Sequence, residues 1–342
     1  MTTDPEPLVV LTRRGLYCPP GDFHIDPCLP VQTAVVTHAH GDHLRRGNAR
    51  YILARPGIDI ARLRLGGRPD IVAPEYGARL RLGATTVSLH PAGHILGSAQ
   101  VRIESGGEVW VVSGDYKRQP DPTCAALEPL ECNVFVSEAT FARPVYRWPP
   151  TSAVVAEIVD WWRDNRDRGI TSLLYCYALG KAQRLLAELA DLTSDPVLVH
   201  ASMTGLIDIY RRTGVRMVPT LPATARNRRE CLGSLVLAPP SAAGSPWARR
   251  FGEHSSGFCS GWMRLRGEVQ RRGYDRGFVI SDHADWPALV ETCLETKARR
   301  VLLMHGKAGA LCRHLSERDV QARALVALGS GDVRQPAARA AG

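Results

Sequence analysis

No stretch of this sequence is apolar for long enough to cross a bilayer, which takes about 20 consecutive apolar residues as a helix. The first seven residues, Met1 to Pro7, are acidic and contain proline, without the basic start and apolar core of a secretory signal. The nine cysteines, Cys18, Cys28, Cys124, Cys132, Cys176, Cys231, Cys259, Cys293 and Cys312, are odd in number and include no C-x-x-C pair. That argues against a disulfide framework and against a cysteine zinc site, and for reduced thiols in a cytoplasmic protein. Lysine is scarce: Lys117, Lys181, Lys297 and Lys307 are all there is, so the net charge of +9 rests on arginine. A positive balance suits a polyanionic partner, but an Arg-rich surface produces the same number, and charge alone supports nucleic acid only weakly. What remains is 342 residues, 44% of them apolar, enough for one large or two medium globular domains with a real core.

The most informative stretch is Thr37-His38-Ala39-His40-Gly41-Asp42-His43, directly after the apolar run Ala34-Val35-Val36. The run reads as a short buried strand. Three imidazoles and a carboxylate within six residues form a donor set that suits zinc. Side chains two apart in an extended turn point the same way, so His38 and His40 can share one ion while Asp42 and His43 reach a second. Ala39 and Gly41 keep the backbone slim enough for the four groups to converge.

Other candidates fall at the ends of expected strands. A strand over 23–27 closes on Asp26, and one over 108–113 stops at Gly114-Asp115. One over 133–137 ends in Glu138-Ala139-Thr140, one over 276–280 ends in Ser281-Asp282-His283-Ala284-Asp285, and one over 300–304 ends in His305-Gly306. His94 differs, lying in a Gly-rich turn ahead of a strand at 100–103. A helix is expected from Thr151, capped at its start, and another over 307–326. Between them, strand–helix alternation through about 211 suggests a small parallel α/β unit, and 223–260 reads as loops. In that unit Gly180-Lys181 opens a helix after a strand, where backbone N–H groups can hold an anion; the P-loop spacing is missing. Because candidate ligands come from both ends of the chain while 142–265 supplies none, the simplest architecture is one α/β domain with a second inserted into it.

The Thr37–His43 motif resembles the signature of the metallo-β-lactamase fold. With Glu138-Ala139-Thr140, Gly180-Lys181-Ala182-Gln183, Asp282-His283-Ala284-Asp285 and Met304-His305-Gly306, the chain resembles the β-CASP branch of nucleases with that fold. Gly15-Leu16-Tyr17-Cys18, Phe23-His24-Ile25-Asp26-Pro27, Ser260-Gly261-Trp262-Met263 and Ser281–Trp286 look like the bacterial DNA ligase-associated exonucleases, over about residues 8–315. The resemblance implies an α/β fold: a metallo-β-lactamase αββα sandwich over 8–142 and 266–327, with a β-CASP α/β domain inserted at 143–265; the tail at 328–342, rich in Ala and Arg, reads as disordered. It implies two Zn2+, with Mn2+ able to stand in. One ion would take His38, His40 and His94; the other would take Asp42, His43 and His305, with Asp115 bridging. Asp26 would orient a ligand imidazole. Asp42 would also count as catalytic, and His283 would be the general acid, held by Glu138. Gly180, Lys181 and Ser260 would hold phosphates.

The implied activity is DNA exonuclease in repair, with an RNA-processing nuclease as the alternative. The implied partners are DNA, an ATP-dependent DNA ligase and a helicase, with no membrane. A degenerate, non-catalytic scaffold would have lost ligands, and every ligand position here is filled. Ser281, Asp282 and His283 do not form a serine-hydrolase triad, since adjacent strand residues face opposite ways. His24, His90, His200, His254 and His314 are left as structural or surface residues.

Overall fold

The computed structural model describes residues 7–223 and 228–325; the tail expected at 328–342 lies outside the described residues. The chain is a mixed α/β protein that divides into two compact units. One comprises the residues up to Pro120, Cys124–Pro144 and the residues from His283 on; the other comprises Asp121–Thr123 and Val145–Asp282.

The first unit holds two sheets. Six strands follow chain order in one: Val10–Thr12, Gly15–Cys18, Phe23–Ile25, Thr33–Val35, Arg50–Ile52 and Ile71–Val72, the last four mutually parallel. The other has seven, in the order Gln321–Ala324, Arg300–Gly306, Val134–Ala139, Glu108–Val112, Ala99–Ser105, Thr85–Pro91, Leu80–Leu82. Its first four strands are parallel and the rest antiparallel. The central strands read as continuous apolar runs because both of their faces are covered. Trp110, Val112, Val134, Val136 and Leu302 join Leu16, Phe23, Ile25, Val35 and Ile52 of the six-stranded sheet in one buried cluster. The alternate residues Val111, Phe135, Val301 and Leu303 pack with Trp286, Leu289, Leu311 and Leu315. These last four come from the helices Trp286–Glu295 and Gly309–Ser316. The long helix expected over 307–326 is therefore only its first half, and the residues beyond it form the strand Gln321–Ala324 beside Arg300–Gly306.

The second unit is a six-stranded, wholly parallel sheet, ordered Thr220–Pro222, Val197–Val199, Leu235–Ala238, Thr171–Tyr175, His254–Cys259, Arg276–Phe278. Two expectations fail here. The segment 223–260 is not all loop: Leu235-Val236-Leu237-Ala238 is a fully buried strand, a four-residue apolar run hidden within an Arg- and Gly-rich stretch. The return to the first unit falls between Asp282 and His283, not at 265–266, because Arg276–Phe278 is the edge strand of this sheet. The helix Thr151–Asp167 begins at Pro150 without a side-chain cap; Thr151 Oγ1 instead accepts from Arg184 Nη2 at 2.5 Å. All nine thiols are free, and no helix among the described residues is long and apolar enough to cross a membrane.

Candidate metal centre

Most of the candidate ligands gather in the first unit just past the carboxyl ends of its parallel strands, where open α/β sheets place their sites, and His94 joins them from a turn between antiparallel strands. Thr33–Val35 leads into the turn that carries His38, His40, Asp42 and His43, closed by His43 N–H and Leu44 N–H donating to His40 O. Ala99 N–H donates to Thr37 O at 2.7 Å, which ties this turn to the seven-stranded sheet. Asp115 follows Glu108–Val112 through Gly114, whose φ is +57°; a Cβ there would lie 2.6 Å from Thr37 Cβ, so the close approach of the two loops needs glycine. His94 sits in the turn between Thr85–Pro91 and Ala99–Ser105, where Ser98 Oγ accepts from the backbone N–H of His94 and Ile95.

Four ligand atoms, from His38, His40, His94 and Asp115, lie within 4.8 Å of one another. His40 Nδ1 is 3.1 Å from both His38 Nε2 and His94 Nε2. Nitrogens about 2.0–2.1 Å from a tetrahedral zinc stand roughly 3.3 Å apart, so this set fits such an ion. Asp115 Oδ2 lies 3.5 Å from His38 Nε2, 3.8 Å from His94 Nε2 and 3.4 Å from His43 Nε2, a position open to a bridging role.

The rest of the second expected set is looser. His43 Nε2 is 3.7 Å from Asp42 Oδ2, and the Asp42 side chain is 62% exposed. The His305 ring centroid is 6.0 Å from that of His43. His305 is exposed, with φ at +56°, and occupies a β-bulge: Glu138 pairs with Met304 and Ala139 with Gly306, leaving His305 unpaired. Gly306, at φ +107°, sits so close to the neighbouring strand that a Cβ would be 2.2 Å from Ala139 O.

Asp26 ends the adjoining strand Phe23–Ile25 and supports the turn from behind. Its Oδ1 accepts from Thr37 N–H at 2.8 Å, and its Oδ2 from Thr37 Oγ1 at 2.6 Å and His43 Nδ1 at 2.7 Å. Burial would lower the His43 pKa, but Asp115 and Asp26 outweigh it and hold the imidazole well above its ordinary value. Burial, reinforced by the neighbouring His43 and His94, keeps His38 well below its own. Burial would raise Asp115, yet His43, His283 and His38 draw it well below the usual carboxylate range. His43 thus faces two carboxylates, Asp26 at Nδ1 and Asp115 at Nε2.

Glu138 and His283 meet beside this cluster. His283 Nδ1 lies 2.9 Å from Glu138 Oε2 and 4.0 Å from Asp115 Oδ2, and Tyr116 N–H donates to Glu138 Oε1 at 2.8 Å. Glu138 is 1% exposed, whereas the His283 side chain keeps 24% of its surface open. The ring of Phe141 packs edge-on against His283. Thr37, Ser98 and Phe141 are supporting residues that sequence reasoning missed; only Thr37 carried a signal, its place at the head of the motif.

The three expected phosphate binders lie in the second unit, committed elsewhere. Lys181 is 3% exposed, and its Nζ is paired with Asp282 Oδ2 at 2.8 Å. Gly180 N–H donates to Gln183 Oε1 at 2.7 Å, and the Ser260 hydroxyl accepts from Trp262 N–H within a buried turn. In this structure the Lys181 ammonium neutralises a buried carboxylate, and Gly180 and Ser260 each close a turn of their own element.

No family model matches the chain. It is similar to a protein of Opitutus terrae named "Probable DNA ligase", 32% identical over 324 residues that cover 93% of this chain and 31% of that protein. It is also similar to an endoribonuclease of Yarrowia lipolytica, 24% identical over 48% of this chain and 22% of that one. A ribonuclease of Thermus thermophilus is 30% identical over 40% of this chain and 33% of that one. The chain belongs to the β-CASP branch of the metallo-β-lactamase fold. It spans about a third or less of the length of these curated relatives. Among solved structures, a protein of unknown function from Enterococcus faecalis superposes with a TM-score of 0.56 at 11% identity, over 81% of this chain and 76% of that one, a likeness of fold alone. In this β-CASP protein the cluster of His38, His40, His94 and Asp115 is a group that could hold a divalent metal ion.

Proposed function

We propose that this chain is a zinc-dependent DNA exonuclease that hydrolyses phosphodiester bonds in repair, alongside a DNA ligase. The observation that carries the reading is similarity over 93% of the chain to a protein named as a DNA ligase, combined with a centre rich in imidazole and carboxylate. The sheets and helices of the first unit are read as an αββα sandwich and the parallel sheet of the second as its β-CASP insertion.

His38, His40 and His94 would hold one divalent cation; Asp42, His43 and His305 would hold a second, with Asp115 shared. Such a pair, when bound, lowers the pKa of a water and offsets negative charge growing on phosphoryl oxygens. The remaining work falls to the chain itself. Asp26 fixes the ring of His43 through Nδ1, leaving Nε2 to face the centre. Glu138 holds Nδ1 of His283, so that Nε2 of that ring can pass a proton to the oxygen leaving the cut strand.

Metal analysis of the purified protein should give about two transition-metal ions per chain, since seven ligand candidates exceed the four of one tetrahedral zinc. A metal-free protein that still cuts DNA would sink the reading. RNA is the second reading, favoured by the endoribonuclease and ribonuclease relatives. We place DNA first because the longer match is to the ligase-named protein, and because a 2′-hydroxyl is read by contacts along the strand, not by the ligands. End-labelled DNA and RNA of one sequence, at the same salt and zinc, should show nucleotides released faster from DNA ends, with closed circular DNA left intact. RNA degraded at least as fast as DNA would replace the DNA assignment. The relatives do not bear on a helicase, and none is proposed.

A further inference from the structure

A cavity of about 440 Å³ adjoins the ligand-bearing turn in the first unit, lined by Cys28, Gly41, Leu44, Arg45, Arg46 and Arg64. Three of these six residues are arginines and none is acidic. Gly41 stands between His40 and Asp42, so the cavity shares a wall with the metal centre. A Cβ on Gly41 would lie 3.0 Å from Arg64 Nη2, which places that guanidinium directly over the turn.

The arginines have different tasks. Arg46 is committed: its Nε and Nη2 donate to Arg64 O at 3.2 and 2.8 Å, satisfying a carbonyl in the last turn of the helix Ile58–Leu65 and fixing Arg64 in place. Among the described residues, the guanidinium groups of Arg45, exposed, and Arg64, half-buried, have no carboxylate in ion-pair contact. The acid whose charge acts on Arg64 is Asp42, itself a ligand candidate.

We infer that Arg45 and Arg64 form a phosphate-binding subsite that takes a phosphate of the nucleic-acid strand next to the bond at the metal centre. Planar guanidinium groups match phosphate oxygens in geometry as well as charge. Adjacent residues lie about 3.8 Å apart along the chain, so an anion beside Gly41 lies within a nucleotide or two of the ligands that flank it. The subsite rests on the nuclease reading.

The test is equilibrium binding of a labelled single-stranded oligonucleotide to metal-loaded protein carrying His283→Ala, across a range of salt concentrations. Arg45→Ala and Arg64→Ala should each weaken binding by roughly tenfold and flatten the log K against log [salt] slope by about 0.7, one phosphate contact on a single strand. Metal content should stay unchanged, and Arg45→Lys and Arg64→Lys should keep most of the slope, which a packing defect would not allow. Oligonucleotides with 5′-phosphate and 5′-hydroxyl ends separate the two sources: loss confined to the phosphorylated end marks a terminal phosphate, and loss on both marks an internal one, each supporting the subsite. Unchanged affinity and slope in the alanine variants, when the His283→Ala parent binds the oligonucleotide and the wild type cuts it, overturn the subsite and leave the nuclease reading intact. A wild-type protein that neither binds nor cuts overturns both.

Discussion

His283→Ala should keep its full metal complement and cleave DNA at roughly a hundredth of the wild-type rate or less, the loss expected when a general acid is removed. His283 touches Glu138 at 2.9 Å but stands 4.0 Å from Asp115, outside the group in which His38, His40, His94 and Asp115 converge. Glu138→Ala should act in the same direction, since it frees the ring to turn and leaves Tyr116 N–H without its acceptor. Metal analysis beside single-turnover rates decides the role. Asp115, Glu138 and His283 themselves form a group able to grip an ion, so a His283→Ala protein that has lost one metal would make His283 a ligand and hand the proton transfer to another residue.

Asp26→Ala should weaken metal binding by about 10–100-fold, the usual consequence of removing the carboxylate behind a ligand imidazole. Its effect reaches further than one ring. The same carboxylate accepts from Thr37 N–H and Thr37 Oγ1, and that hydroxyl lies 3.1 Å from His38 Nδ1, so both halves of the His motif rest on it. Competition against a chelator of known affinity measures the loss. Affinity within twofold of wild type would show that the turn holds its shape without Asp26.

The placement of the candidate ligands was readable because metal chemistry concentrates its donors: His38, His40, Asp42 and His43 share one short turn, and Asp115 and Glu138 each end an apolar run that forms a strand. The parallel sheet of the second unit was readable in outline for a different reason, the alternation of strands and helices through about residue 211. Other features depend on long-range geometry that leaves no local trace. Lys181 reads as an anion binder at a helix start, yet the partner that claims it, Asp282, is about a hundred residues on. Leu235–Ala238 is too short a run to stand out from its surroundings, although it lies inside the sheet between Val197–Val199 and Thr171–Tyr175. Arg45 and Arg64 come from a turn and a helix whose meeting is a matter of tertiary structure, so their shared cavity could not be read from either segment.

The strand Val134–Ala139 ends buried at every residue, paired on one side with Glu108–Val112 and on the other with Arg300–Gly306. A ribosome reaches its second partner only after the whole of the second unit has been made, a delay of roughly 10–30 s at usual synthesis rates. Throughout that interval an apolar strand edge waits open, the kind of edge that invites pairing with another chain. The second unit, all of whose strands lie between Thr171 and Phe278, can fold in the meantime. His283 and His305 are made last, so a nascent chain holds His38, His40, His94 and Asp115 well before the residues proposed as general acid and second-ion ligand.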